Sequence, residues 1–523
     1  MTNEFNTSYQ YDRCTSRGIC SINPATSALL EVILLYLKHT AYYGLKLEKY
    51  GKKNKIIRNL VLNTISVLSS NYEISENNFR MINSAFKTEL PKILKDFNDT
   101  CIGEESLDTN SILSIGDTIS DYIRYGEKEF NKRVQNMPNE ERNLYRILYI
   151  LIKSLCINIL TYESYGEKLE DEIILVFKVL NLLNTPQRKK QELIKFIQNI
   201  SQKDCKLLEK IRIVQQKVYG EQSEQDVSFS TRKGKAILVV GSNLKELEQI
   251  LDEFKDKEVD IYTHDNMILA HTFPYFREYK NLRGQFGQGM ENCLLDFSTF
   301  PGPIILTRNS LFNVESLYRG RLFTTDFAYS KGVIPIKNGD FSEVLKSIKN
   351  SRGFKNGKNC EKEKIGFIYN EKINDIKKQL SENKYKHAVV IGLNGYTNEE
   401  KEYFNIFYKH LPKDILVIDL TCCISDDNKI CVNAVADDYA MLKLSEEIIK
   451  LSNTNVSIFF PFANRHALSL IINLSLYENC SIFVGRWNQT VVDSNILDGI
   501  KNDFGVLDIT TPKKDLERAI NIK

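Results

Sequence analysis

Eleven cysteines and six histidines are the residues of this chain best suited to metal or redox chemistry. Cys14 and Cys20 close the short segment CTSRGIC. Two thiolates cannot alone hold a cubane iron–sulfur cluster, which needs four. Unless a second pair joins them, they are expected to pack as small hydrophobes at the start of a helix. His264 and His271 flank DNMILA. Zinc would need two further donors at suitable geometry, so both are expected to be structural histidines satisfied by hydrogen bonds. Cys422 and Cys423 are adjacent. They would form a redox-active pair only in an electropositive setting, and ordinary packing is the simpler expectation. Trp487 and the dense Tyr and Phe content read as core.

Composition narrows the classes. The chain has 523 residues, 42% hydrophobic and 26% charged, with a formal net charge of +3. That fits an ordinary globular protein of about three domains. So small a charge gives no reason to expect a nucleic-acid or membrane-surface partner. No CxxC pair occurs among the cysteines, and a disulfide framework is not expected, so the expected setting is the cytoplasm. The N-terminal MTNEFNTSYQYDR lacks the apolar run of a signal peptide. LLEVILLYLK and LYILIKSLCINIL are read as core helices, being interrupted by Glu31 and Lys153 and short of a membrane span.

The elements that must position these residues change character along the chain. Residues 1–231 read as a helical domain. Asn23 and Pro24 give an N-cap and first-turn proline, and helical spacing recurs near 55–70, 78–97, 108–132, 140–162, 168–183 and 187–217. Polar, aperiodic GEQSEQDVSFSTRKGK (220–235) marks the boundary. AILVVG followed by a helical stretch, then EVDIYTH and GPIILTRN, read as an α/β domain over 232–365. A Lys-, Asn- and Gly-rich linker covers 350–364. HAVVIGLNG, DILVIDL, NVSIFF and CSIFVG supply the strands of a second α/β domain over 366–523, where Thr397 and Glu400 form a capping-box signature. Strands alternating with helices imply two Rossmann-like parallel sheets after an N-terminal helical bundle. The Gly-ended strands match neither GxGxxG nor a P-loop, and read as tight turns before capped helices.

Several long, ordered segments resemble the hybrid cluster proteins, or hydroxylamine reductases. They are CTSRGICSINPATSALLEVILLYLKHTAYYG, YTHDNMILAHTFPYF, GPIILTRNS, YRGRLFTTDFAY, HLPKDILVIDLTCC and ADDYAM. The carbon monoxide dehydrogenases are similar in general fold but fit these segments less well. The resemblance implies a cubane held by four cysteines near the N-terminus. It also implies an iron–sulfur–oxygen hybrid cluster between domains, used to reduce hydroxylamine or nitric oxide. Carried over residue by residue, the hybrid-cluster ligands fall on Ser242, Asn266, Ser310, Leu393, Cys422, Val435 and Asn464. Only Cys422 keeps a ligating side chain, although Cys431 lies four residues before Val435. The first cubane pair falls near Thr2 and Phe5, and the second on Cys14 and Cys20.

The direction of these changes is consistent. Both glutamate positions are asparagine, and two thiolate positions are the space-filling Leu393 and Val435. An isolated buried carboxylate without metal costs several kcal/mol, so neutral replacements suit a cavity without its cluster. The resemblance and these departures lead to a cluster-depleted, non-catalytic pseudoenzyme with an unidentified protein or small-molecule partner. The alternatives are a divergent iron–sulfur oxidoreductase acting on hydroxylamine or nitric oxide, and a homodimer sharing one iron–sulfur cluster between two Cys14/Cys20 pairs. His264, His271 and His466 are expected to line the cavity, with His466 as a proton donor to a small ligand in the sharper reading.

Overall fold

The computed structural model describes residues 24–70, 76–134, 137–184, 188–287, 292–310, 315–326, 329, 332–381, 385–392, 398–421, 428–452, 455–463, 465–487 and 494–521. The chain forms two compact units. One is built mainly on residues up to Leu207, and the other on Leu208–Asp326, Gly332–Asn488 and Ile500–Lys523.

The first unit is helical. Its central helix, Pro24–Lys49, buries Val32, Ile33, Tyr36, Leu37, Ala41, Tyr43 and Leu47 completely. Tyr36 stacks on Phe86 of helix Glu76–Thr100 at 4.9 Å. Helix Ile119–Val134 crosses the central helix so closely that a Cβ on Gly126 would lie 2.0 Å from the Ala28 carbonyl oxygen. The region read as one helix over 108–132 is two, Asn110–Leu113 and Ile119–Val134. A reciprocal cap restarts the chain: Thr118 N donates to Asp121 Oδ2 at 3.2 Å, and Asp121 N donates to Thr118 Oγ1 at 3.2 Å. Helix Asn139–Glu163 is long and apolar enough to cross a membrane by length and composition. However, 72% of its most apolar window is buried inside the protein, as a core helix requires.

The second unit carries the sheets. The strands are β1 (Gln225–Ser228), β2 (Ala236–Val240), β3 (Asp260–His264), β4 (Leu282–Gln285), β5 (Ile304–Leu306), β6 (Leu322–Thr324), β7 (Val333–Pro335), β8 (Lys362–Ile365), β9 (His387–Ile391), β10 (Ile415–Asp419), β11 (Lys429–Cys431), β12 (Val456–Ala463), β13 (Cys480–Trp487) and β14 (Leu507–Asp508). One six-stranded sheet runs β4-β3-β2-β5-β6-β7, the other β11-β10-β9-β12-β13-β14. Every pairing within them is parallel. Both have the doubly wound order 3-2-1-4-5-6 of a dinucleotide-binding sheet. β2, β3 and β10 are buried at every residue, as expected for parallel strands covered on both faces.

The two polar stretches read as a boundary and a linker pair with each other. β1 and β8 are antiparallel, with Gln225 opposite Ile365 and Ser228 opposite Lys362. Bridges at Thr231–Lys358 and Gly234–Phe354 extend the ribbon.

Candidate functional site

An open, doubly wound sheet binds ligands outside the carboxyl ends of its strands, where the winding reverses. Here the reversals fall between β2 and β5 and between β9 and β12. Each expected ligand position follows a strand: Ser242 follows β2, Asn266 β3, Ser310 β5, Leu393 β9, Cys422 β10, Val435 β11 and Asn464 β12. Leu393, Cys422 and Asn464 lie outside the described residues, as do Cys14, Cys20, Cys423, Asn23 and Thr397.

At the first sheet, Ser242 is exposed and precedes Asn243. The Asn243 side chain caps helix Leu244–Phe254 by accepting from Glu246 N at 3.2 Å. Ser310 turns inward instead. Its Oγ lies 2.7 Å from the Thr307 carbonyl and 3.3 Å from the Val240 carbonyl, while Thr307 Oγ1 donates to Val240 O at 2.9 Å. The hydroxyl is thus absorbed by its own loop. This tight packing requires Gly241 at φ 121, because a Cβ there would lie 2.4 Å from Ser310 Oγ. Asn266 is half-buried on the 3₁₀ helix Asp265–Thr272.

At the second sheet, Val435 packs with Ala436 and Phe229 against the buried Val227, Ile268 and Ile365. Ile268 belongs to the segment that carries Asn266, so this apolar cluster joins the lips of the two sheets. Cys431 at the end of β11 is buried and its sulfur is in a disulfide. His466 lies in the first turn of helix Arg465–Leu474.

His264, which ends β3, and His271 of the 3₁₀ helix are held by the framework. His264 is fully buried, with Nε2 3.0 Å from Asp296 Oδ2 and its ring 5.2 Å from Phe297. His271 Nε2 lies 2.8 Å from Thr263 Oγ1, and Thr263 Oγ1 lies 2.6 Å from Gln285 Oε1. Burial pushes the His271 imidazole down to about 4, so it is neutral at physiological pH.

Two buried charged groups near these lips were not singled out from the sequence. Glu246 accepts from Arg308 N at 2.8 Å and from Thr325 Oγ1, with the Arg308 guanidinium 3.5 Å away. Burial raises its carboxyl above the usual range. Arg212 Nη2 donates to Asp437 Oδ1 at 2.7 Å and Nη1 to Asp437 Oδ2 at 3.0 Å. Asp437 also caps helix Asp438–Leu451 through Ala440 N at 2.9 Å. An Asp before a periodic run is a readable cap signal. Its arginine, 225 residues earlier, leaves no local mark.

Backbone strain gathers at the same places. Asp265 (φ 59), Asn309 (φ 67), Asn433 (φ 56) and Ala436 (φ 61) are left-handed. Asp265, Asn309 and Ala436 directly adjoin Asn266, Ser310 and Val435, respectively.

The Prismane/CO dehydrogenase family model matches residues 10–440. The chain belongs to that family. Hydroxylamine reductase of Thermodesulfovibrio yellowstonii is 23% identical over 96% of this chain and 97% of the relative. That of Syntrophobacter fumaroxidans is 24% identical over 97% of each. The Thermotoga maritima enzyme is 28% identical over 61% of this chain and 78% of its own length. Among solved structures, a chain of acetyl-CoA synthase/carbon monoxide dehydrogenase, described with NiZn[Fe4S4] and NiNi[Fe4S4] clusters, aligns at TM-score 0.48. It is 10% identical, covering 97% of this chain and 83% of that one.

Among the expected positions that are described, the side chains do not fit a family hybrid cluster. Iron–sulfur sites want thiolates, and oxygen-bridged irons want imidazole or carboxylate. Ser310 is turned onto backbone carbonyls, and Val435 is apolar and packed. Among the described residues, no three His, Cys, Asp or Glu side chains converge to hold a metal ion.

Proposed function

We propose that this chain is a cluster-depleted member of the Prismane/CO dehydrogenase family, with a binding or regulatory role in place of hydroxylamine reduction. The observation that carries this reading is the packing of Val435. A lost thiolate leaves a void costing about 24 cal/mol per cubic ångström. Here the position is filled by an isopropyl group packed with Val227, Ile268 and Ile365. The neutral Asn266 and the self-satisfied Ser310 support the same reading, since neither leaves a buried charge that iron must offset.

Anaerobic purification followed by iron and sulfide analysis, electron paramagnetic resonance and a hydroxylamine turnover assay tests this. The expected result is a colourless chain with no hybrid-cluster signal and no turnover. Stoichiometric iron and sulfide with hydroxylamine turnover would overturn it. A cluster of about four irons per two chains, lost in Cys14→Ser, would instead identify a cubane shared across a dimer.

A further inference from the structure

We infer that a metal-free clasp, made of the Arg212–Asp437 ion pair and the apolar cluster around Val435, holds the two sheets together at their carboxyl-end lips. The inference rests on the cluster-depleted reading and adds what does the joining.

Arg212 is 5% exposed and Asp437 2%. Two parallel N–H···O bonds join them, the geometry in which a guanidinium binds a carboxylate most specifically. The guanidinium also lies over the rings of Tyr439 at 4.9 Å and Phe273 at 5.9 Å. These contacts reach both sheets. Asp437 and Tyr439 follow β11 of the second sheet. Phe273 follows the Asp265–Thr272 segment of the first. Arg212 also donates to Gln222 Oε1, and Gln222 Nε2 donates to Thr272 Oγ1 at 2.8 Å. Thr272 in turn donates to Leu269 O at 2.7 Å. One guanidinium therefore fixes the segment bearing Asn266 and the turn bearing Val435.

The apolar half is built on the same turn. Val435 and Ala436 pack with Ile268 from the first lip, and with Val227 and Ile365 from the β1–β8 ribbon. The ribbon is tied to the second lip where Gly366 N donates to Asn433 O at 2.8 Å. A cluster between the sheets would tie the lips through metal bonds. In this chain, buried charge pairing and packing make the connection.

Thermal unfolding and limited proteolysis of the full chain, with and without an iron chelator, test the clasp. The chelator should leave the midpoint and cleavage pattern unchanged. Asp437→Asn keeps a good helix cap but strands a buried guanidinium. It should lower the midpoint by roughly 5 °C or more and expose the 350–368 connection to protease. Arg212→Lys, which keeps the charge and loses the fork, should lower it less. Arg212→Met with Asp437→Leu should regain much of the loss, because no charge is left unpaired. The clasp is overturned if Asp437→Asn is indifferent, or if the chelator alone lowers the midpoint. Iron content of the same samples separates the two proposals. An iron-loaded chain still broken by Asp437→Asn sinks the cluster-depleted reading alone. A metal-free chain indifferent to Asp437→Asn sinks the clasp alone.

Discussion

Val435 and Ser310, two positions where the family resemblance sets ligands, each have their side chain engaged by protein neighbours. Val435 fills space, and Ser310 spends its hydroxyl on the Thr307 carbonyl. The two should respond differently to substitution. At this half-buried position, Val435→Asp sets a carboxylate against Val227, Ile268 and Ile365 and should cost more than Val435→Ala. Val435→Ala should cost about 1–3 kcal/mol for the vacated volume. Denaturant titration of both variants reads the order, and an Asp variant as stable as wild type would remove Val435 from that apolar contact. Ser310→Ala should cost only about 1 kcal/mol, the net worth of one hydrogen bond. A loss several times larger in the same titration would mean that this hydroxyl does more than close its own loop.

Among the elements, close approach sets the tolerances. At Gly126 an added methyl would strike the Ala28 carbonyl. Gly126→Ala should therefore push helices Pro24–Lys49 and Ile119–Val134 apart and cost about 1–3 kcal/mol despite alanine's better helix propensity. A midpoint equal to or above wild type in a thermal melt would contradict that contact. The sequence made the long elements readable because their patterns are strong. AILVV, DIYTH and ILVID are each five consecutive buried residues, wholly apolar in AILVV and apolar but for the closing Asp419 in ILVID. The three-residue strands β5, β6, β7 and β11 carry too few positions to establish a period, and β5 was found only through the longer run around it. β1 and β8 were hidden differently. Lys362, Glu363 and Lys364 are exposed, so their pairing with β1 rests on backbone bonds rather than on an apolar pattern. The expected ligand positions came from a resemblance read along the chain. Arg212 became visible only when folding brought it to Asp437.

For the whole molecule, pH gives a handle that both compact units share. His39 in the helical unit and His271 in the sheet unit are each pushed down to about 4, chiefly by burial. The unfolded histidines take protons near 6.5. Between about pH 6.5 and 4 the unfolded chain therefore binds more protons than the folded one, and stability falls as pH falls. The contribution is complete above pH 6.5 and is lost progressively below it, by at most about 3 kcal/mol for each of these two half-buried histidines. Urea titrations at pH 7.5 and pH 5 should show this loss, and His271→Gln should make the sheet unit less sensitive to the change. An unchanged difference between the two pH values in that variant would show that His271 already titrates normally in the folded chain.

The left-handed turn at Ala436 has a consequence for how much protein a cell can keep. Unlike Asn309 and Asn433, Ala436 has no polar side chain to ease a φ of 61°. Glycine there would relieve that strain but lose the methyl packed beside Val435 and carry its own entropic cost, a net change of up to about 1 kcal/mol either way. Margins of that size change the fraction of chain lost to proteases and chaperones by a few-fold. Steady-state abundance in growing cells, more than any assay on purified protein, is where one atom at the second lip should show.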